Sequence, residues 1–412
     1  MAQNAVRDSS RGGKIGHLAG LGLVLLFPGF FLYHNALAAG VFPAVLGGFF
    51  SPIALLSLTA ILPLLIATKG GLLPTRASRR FTLLFVVFIA FTVAWTMLHY
   101  FLDGSREVRL ATTQVLLSTL QWSGLFVVGA FVPMDSPGLK KGMLLALGFM
   151  FFIVASYVAT SGSFFYYARQ AYEVASDGDA VATYQGFARS ALVTAAFILA
   201  VVQKPVAKAL IIMVSLFMLF VLGSRSDLYA FIVVAVLINV VGVVHQRRNL
   251  VMVAILGVAL TCAVIVSWDS MSSTRQATVT DLDNDASWQA RQRLADMGYA
   301  QLRADPAFGE FAGHIERGGP GNYIHNLFST WASFGPLGFV LYLALILLPL
   351  LDSFREYVFR RQIDPRWAFV FYMSVVTVLL AFLARSVFWP IPALTCGLYV
   401  NALRHRSVRL RA

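Results

Sequence analysis

The chain has 412 residues, of which 58% are hydrophobic and only 12% are charged, whereas about a quarter of the residues in a soluble domain carry charge. Apolar segments long enough to cross a ~30 Å hydrocarbon core recur along its length. The sequence therefore predicts an all-α polytopic membrane protein whose residues 1–412 form a single integral membrane domain. Both cysteines lie within apolar segments, which favours packed side chains over a disulfide framework or a zinc site.

Apolar length and flanking charge predict twelve membrane spans. In chain order they are 17–33, 42–67, 81–101, 111–132, 142–160, 188–203, 207–223, 228–244, 250–268, 327–351, 367–388 and 390–403. Two connections are long. The first, 161–187, is polar and rich in tyrosine. The second, 269–326, lies between the ninth and tenth spans and contains a helical pattern from Ala286 to Ala304 that ends before Asp305-Pro306.

The distribution of basic residues predicts the orientation. With both termini in the cytoplasm, 21 of the 32 lysines and arginines fall on the cytoplasmic side, and both long loops lie outside. This bias accounts for the net charge of +13, so no nucleic-acid partner is needed to explain it. The outer basic residues are all arginine, whose planar donors match phosphate well, although a chain so rich in arginine gives much the same pattern by chance.

Two arginines at the outer ends of spans are candidate functional residues. Arg225 lies in a short polar hinge, 223–227, between two apolar segments, where a charge is costly and therefore indicates function. The alternative is an arginine that extends to the interface and pairs with Asp227. Arg385 lies close to the outer end of the eleventh span, where the alternative is interfacial anchoring beside Trp389.

The segment that enters the tenth span carries a further group of polar residues. His325 lies between Asn322 and Asn326, and the pKa range of histidine suits a general base or a hydrogen-bond donor to phosphate. A lone histidine is often structural, and His314 is a weaker candidate of the same kind. We also expect Asn322, Tyr323 and Asn326 to contact a substrate.

The predicted loop helix carries two more candidate arginines. Arg291 and Arg303 are twelve residues apart, about 3.3 turns, so they point to neighbouring faces. Each either lines the site or is solvated. The sequence contains no Walker loop, no paired carboxylates within a span and no metal-ligand spacing, so it predicts neither a metal nor a cofactor.

Several of these features occur together in one known group. The Ser-Arg-Ser hinge, the Asp-Pro-x-Phe-Gly turn at 305–309 and the His-Asn pair followed by 334–339 resemble the bacterial O-antigen polymerase and ligase superfamily (Wzy and WaaL types). The resemblance covers 219–351. It implies a metal-independent, inverting transfer of glycans from undecaprenyl pyrophosphate at the periplasmic face of the inner membrane.

The resemblance also implies roles for particular residues. Arg225 matches the hinge arginine and His325 the loop histidine, which makes both catalytic candidates. Arg291 matches the loop-helix arginine, and Arg385 is added from its membrane position. With Arg303 and the 322–326 segment, these arginines would bind the pyrophosphate and the glycan. Further partners would be membrane lipid and either a chain-length regulator or a lipid A core acceptor.

The sequence leaves several functions open. The segment 322–327 and Phe334-Gly335 resemble the polymerase branch more closely, which favours polymerisation of surface polysaccharide repeat units over ligation to lipid A core. A lipid-linked oligosaccharide flippase would place ionisable groups at the bilayer midplane, whereas these arginines lie at the outer ends of spans. A peptidoglycan glycosyltransferase and a structural membrane partner are the remaining alternatives.

Overall fold

The computed structural model describes residues 15–39, 41, 75–164, 166, 184–245, 257, 286–319, 321–360 and 364–409. Regular secondary structure within these residues is helical. The helices are α1 (Ile15–Leu37), α2 (Arg76–Leu102), α3 (Arg106–Phe131), α4 (Pro137–Ser161), α5 (Tyr184–Val201), α6 (Pro205–Val221), α7 (Arg225–His245), α8 (Ala286–Ala304), α9 (Gly313–Gly318), α10 (Phe328–Phe359), α11 (Pro365–Leu383) and α12 (Ile391–Arg409).

The architecture is that of a polytopic membrane protein. Eight helices in the described part of the chain are long and apolar enough to cross a membrane, namely α1–α5, α7, α10 and α11. The apolar helix α6 has 17 residues and is slightly shorter than these eight. The predicted twelfth span is the helix α12, which is not among the eight. The predicted spans 42–67 and 250–268 lie outside the described residues, so the count of twelve and the location of the termini stay predictions.

Helix starts are fixed by local chemistry at the turns. The side chains of Thr75, Ser105, Ser136 and Asp364 each accept a hydrogen bond from a backbone N–H in the first turn of α2, α3, α4 and α11. Such caps satisfy amides that have no partner within the helix. Proline follows the cap in α4 and α11, where its fixed φ suits the first helical position. The turns 103–105 and 132–136, which precede α3 and α4, are therefore short and well defined.

The centre of the bundle is a close contact between α3 and α12. A Cβ atom on Gly129 would lie 2.5 Å from the carbonyl oxygen of Leu394, and one on Gly397 would overlap the backbone of α3. Only glycine at both positions allows the two backbones to approach this closely. The side-chain amide of Asn401 then donates to the carbonyl oxygens of Gly129 and Val132 at 3.1 and 2.9 Å.

The turns between helices lie at two opposite ends of the bundle. At one end, the backbone N–H of Val387 donates to Ser329 Oγ at 2.8 Å, which joins the α11–α12 turn to the start of α10. At the other end, Arg366 pairs with Asp135. We call the first end the loop face. It comprises the turns 222–224 and 384–390, the start of α5 and the segment 286–327.

Candidate functional site

Arg385 is the residue around which the loop face is organised. The helix α11 ends at Leu383, so Arg385 lies in the turn to α12 and the predicted span 367–388 extends too far. Its guanidinium donates to Gln185 Oε1 at 2.6 Å and to Asp227 Oδ2 at 2.9 Å, and lies 3.4 Å from Ser226 Oγ. One arginine in a turn therefore connects the start of α5 with the start of α7. We call Arg385 and these polar side chains around it, Gln185, Ser226 and Asp227, the Arg385 cluster.

The α6–α7 hinge contributes a carboxylate to this cluster. Gly223 has φ +78°, a conformation that glycine adopts without strain and that reverses the chain between the two helices. Asp227 follows in the first turn of α7, is buried, and accepts hydrogen bonds from Ser224 and Arg385. Arg225, the first residue of α7, is half-buried and interacts electrostatically with Tyr229, one turn on. The hinge thus joins the cluster through Asp227.

The loop helix α8 spans Ala286–Ala304, as the sequence pattern predicts. It packs directly on the segment before α10, because a Cβ on Gly298 would lie 2.5 Å from the side chain of Ile324. Arg291 is seven residues before Gly298, close to two full turns, so it lies on the same face. Arg291 is close enough to His325 for its positive charge to lower the pKa of the histidine.

Arg303 does not join the site. It lies about 18 Å along the α8 axis from Arg291, and its side chain is exposed. Arg303 is the fifth residue after Gly298 on the helix, so its side chain points roughly 140° away from the packed face. The expectation that Arg303 binds substrate together with Arg291 therefore has no support in the geometry of the described residues.

His325 is held in one tautomer. Its Nδ1 lies 2.8 Å from the carbonyl oxygen of Tyr323, and because a carbonyl oxygen only accepts, Nδ1–H is the donor. In the neutral ring Nε2 therefore carries the lone pair. Burial lowers the pKa of His325, the Tyr323 carbonyl raises it, and the positive charges of Arg291 and Arg385 lower it further. The pKa lies below its usual value, so His325 is neutral at pH 7 and able to accept a proton.

The other predicted residues of this segment have mainly local contacts. The side-chain amide of Asn322 is exposed and donates to the carbonyl oxygen of Gly318. Asn326 Oδ1 accepts from the backbone N–H of Phe328 at 2.9 Å and so fixes the start of α10. Tyr323 is half-buried against Phe388, with ring centroids 5.4 Å apart, and lies at the edge of the cluster.

His314, the weaker histidine candidate, is a buried packing residue. Burial lowers its pKa to about 4. Its Nε2 lies 3.4 Å from Gln114 Oε1, and its ring centroid lies 5.9 Å from that of Tyr323. It therefore positions α9 against α3 and Tyr323, and its ring is neutral at pH 7.

Two motifs that carried the family resemblance form a clamp in this chain. A Cβ on Gly309 would lie 2.6 Å from the carbonyl oxygen of Trp331, and one on Gly335 would lie 2.7 Å from that of Phe308. The indole of Trp331 also donates to the Pro306 carbonyl oxygen at 2.9 Å. The two glycines have φ of +75° and +67°. The turn 305–309 and the kink in α10 therefore meet backbone to backbone, which fixes the loop on the bundle.

Arg189 belongs to the cluster although the sequence did not indicate it as a site residue. It lies on α5 one turn after Gln185, and it interacts electrostatically with Arg385, Asp227 and Tyr323. Its Nε is buried and has no hydrogen-bond partner within the described part of the chain. An arginine near the start of an apolar helix is not a local signal of a site, because only the fold brings α5 beside the α11–α12 turn.

The site combines an excess of positive charge with a neutral base. Arg189, Arg291 and Arg385 converge there, and the carboxylate bonded to this group is that of Asp227. Guanidinium groups held at a partly dry surface bind phosphate oxygens strongly. His325 Nε2 supplies a proton acceptor beside them. This arrangement suits a reaction in which an anionic phosphate leaves and a hydroxyl group attacks.

No family model and no curated protein matches the chain.

Proposed function

We propose that this protein is a glycosyltransferase that moves an oligosaccharide from undecaprenyl pyrophosphate to an acceptor hydroxyl at the loop face. The observation that carries the proposal is the Arg385 cluster, where arginines from three separate elements lie beside a neutral histidine at the boundary of a membrane domain. The resemblance of 219–351 to O-antigen polymerases and ligases supports the same reaction. Arg225 and His325 keep their proposed roles at the active site.

In the proposed step the acceptor oxygen attacks the anomeric carbon from the side opposite the leaving group. The bond between this carbon and the pyrophosphate oxygen breaks, and its electron pair stays on the pyrophosphate. Arg385 and Arg291 stabilise that developing charge, since donors fixed in a site of low dielectric are strongest there. His325 Nε2 receives the proton of the acceptor hydroxyl. Polyprenyl pyrophosphate leaves and the anomeric configuration is inverted.

We propose a location in the bacterial inner membrane, with the loop face in the periplasm. The bias of basic residues towards the opposite side supports this orientation. Within the family we favour the polymerase reaction, which joins repeat units of O-antigen or another surface polysaccharide. Ligation to lipid A core is the second candidate, supported by the same motifs. A chain-length regulator is the further partner that the polymerase reaction implies.

The test is reconstitution in liposomes with an undecaprenyl-pyrophosphate-linked repeat unit. Chain growth without another acceptor supports a polymerase, whereas product formed only when lipid A core is added identifies a ligase. Movement of the lipid-linked sugar between leaflets without a new glycosidic bond would instead identify a flippase. His325→Ala and Arg385→Ala are expected to lower the rate of transfer by at least about 10²-fold. The matched control is Arg293→Ala, since Arg293 is an exposed arginine of α8.

A further inference from the structure

A small cavity lies beneath the Arg385 cluster. It has a volume of about 130 Å³, roughly ten times the 10–15 Å³ that one water molecule needs. Its walls come from α1, α3, α5 and Pro390, the last residue of the α11–α12 turn. The polar groups that line it are Arg189, Gln121 and Ser190, and its apolar wall includes Phe30.

Arg189 brings a charge into this cavity. Its Nε is buried without a hydrogen-bond partner among the described residues, and Arg385, its positive neighbour, already bonds the nearby Asp227. A buried charge is costly unless a counter-charge or hydrogen bonds compensate it. The cavity therefore has the chemistry of an anion site, with a guanidinium on one wall and the side-chain amide of Gln121 on another.

The cavity extends from the loop face, where Gly186 and Pro390 line it, towards the membrane interior. Arg189 lies four residues after Gln185, which bonds Arg385 at the loop face. On a helix this places Arg189 about 6 Å further from that face, towards the membrane interior. The cavity is also lined by Leu26 and Phe27, which belong to the membrane-crossing helix α1. Arg385 therefore lies at the loop face, and Arg189 lies deeper in the bundle.

We infer that the Arg189 cavity binds the phosphate next to the lipid chain, while Arg385 binds the phosphate next to the sugar. This rests on the proposed function, because it divides the two phosphates of a polyprenyl diphosphate between the two arginines. An anchored lipid-side phosphate would hold the donor while the glycan is transferred. It would also make the protein selective for a diphosphate over a monophosphate carrier.

The test measures binding without any glycan. The purified full chain in detergent is titrated with farnesyl diphosphate, farnesyl monophosphate and inorganic pyrophosphate, and the dissociation constants are determined by calorimetry. We expect the wild type to prefer the diphosphate lipid over the monophosphate at least tenfold. Arg189→Gln should remove this preference by weakening diphosphate binding alone. Inorganic pyrophosphate that binds as tightly as the lipid would show that the head group suffices.

Controls separate a local effect from a general one. Arg109→Gln removes an exposed arginine of α3 and should leave the preference unchanged. Gln121→Leu alters the opposite wall of the cavity, so a several-fold loss of preference is expected even where Arg189→Gln fails to fold. The inference is overturned if the wild type shows no preference, or if folded Arg189→Gln or Gln121→Leu keeps it. If the wild type prefers the diphosphate lipid but transfers no glycan, the phosphate subsite is supported and the proposed glycosyltransferase activity is contradicted.

Discussion

Nη2 of Arg385 lies 2.9 Å from Oδ2 of Asp227, so the α11–α12 turn and the first turn of α7 form one ion pair. The side chains are 11% and 1% exposed, which makes the pair a buried one. Each partner has a further hydrogen bond, to Gln185 and Ser224 respectively. The pair therefore holds the guanidinium in place at the junction of three helices while leaving it within range of His325.

We predict that Asp227→Ala destabilises the fold by about 3–5 kcal/mol, since removal of one partner leaves a buried charge without compensation. The free energy of unfolding in detergent, measured with a denaturant, checks this. Asp296→Ala, at an exposed aspartate of α8, is the control and should change it by less than about 0.5 kcal/mol.

A double-mutant cycle with Arg385→Ala tests the coupling. The double variant should lose clearly less stability than the sum of the two single variants, because the second substitution removes the uncompensated charge. Strict additivity would mean that the ion pair does not couple α7 to the α11–α12 turn.

Substitution of His325 should remove the general base. We expect His325→Ala to lower the rate of glycan transfer by about 10²–10⁴-fold, the usual contribution of a positioned proton acceptor. The rate is measured at saturating donor in the liposome assay. The control is His17→Ala, which removes an exposed histidine near the other end of the bundle. A full rate in folded His325→Ala would remove the residue from the mechanism.

The pH dependence of the transfer rate should show the effect of Arg291 on the pKa of His325. Its pKa lies below the usual value near 6.5, and the neutral ring is the active base, so the acid limb of the rate profile should lie at a lower pH than an ordinary histidine would give. Arg291→Gln removes a positive neighbour, so the pKa should rise and the acid limb should move to higher pH. Arg293→Gln, two residues along α8, should leave the limb unchanged. An unshifted limb in Arg291→Gln would place Arg291 outside the site.

His314 should make the fold sensitive to acid. Its pKa is about 4 in the folded protein and near 6.5 in the unfolded chain, so the unfolded state binds more protons between these values. The stabilisation is complete above pH 6.5 and is lost as the pH falls towards 4, by about 3 kcal/mol in total. His314→Gln should therefore show a smaller loss of thermal stability between pH 7 and 4. Identical profiles for the two proteins would contradict the burial of a neutral ring.

The sequence predicts individual helices better than it predicts the tertiary contacts between them. The pattern from Ala286 to Ala304 matches a helix because caps and periodicity are local signals. Arg291 and Arg303 look equivalent in the sequence, and only the packing of Gly298 on Ile324 directs one to the site and the other to solvent. The spacing of the two arginines is visible in the sequence, whereas the partner surface is not.

The same limit explains the residues that the sequence did not indicate. The sequence presents Asp227 only as a partner for Arg225, although it bonds Arg385, 158 residues away. Arg189 has no motif around it and becomes notable only where α5 meets the α11–α12 turn. Conversely, the sequence predicts that Asn322 and Asn326 contact substrate, and in the structure their side chains bond neighbouring backbone groups. Polar residues that start a helix and polar residues that bind a ligand have the same sequence pattern.

The glycine clamp leads to a prediction that separates two effects of a side chain. Gly309 and Gly321 both have positive φ, +75° and +88°, so alanine at either position costs about 1–2 kcal/mol of backbone strain. At Gly309 the new Cβ would also lie 2.6 Å from the Trp331 carbonyl oxygen, whereas at Gly321 nothing lies within 4 Å.

Gly309→Ala should therefore destabilise the protein more than Gly321→Ala, and it should also lower the transfer rate by displacing the loop that carries Arg291. Thermal unfolding and the liposome assay measure the two effects. Because both variants share the strain of a positive φ, the difference between them reports the contact between the 305–309 turn and α10. Equal losses in the two variants would show that the loop does not depend on this contact for its position over the site.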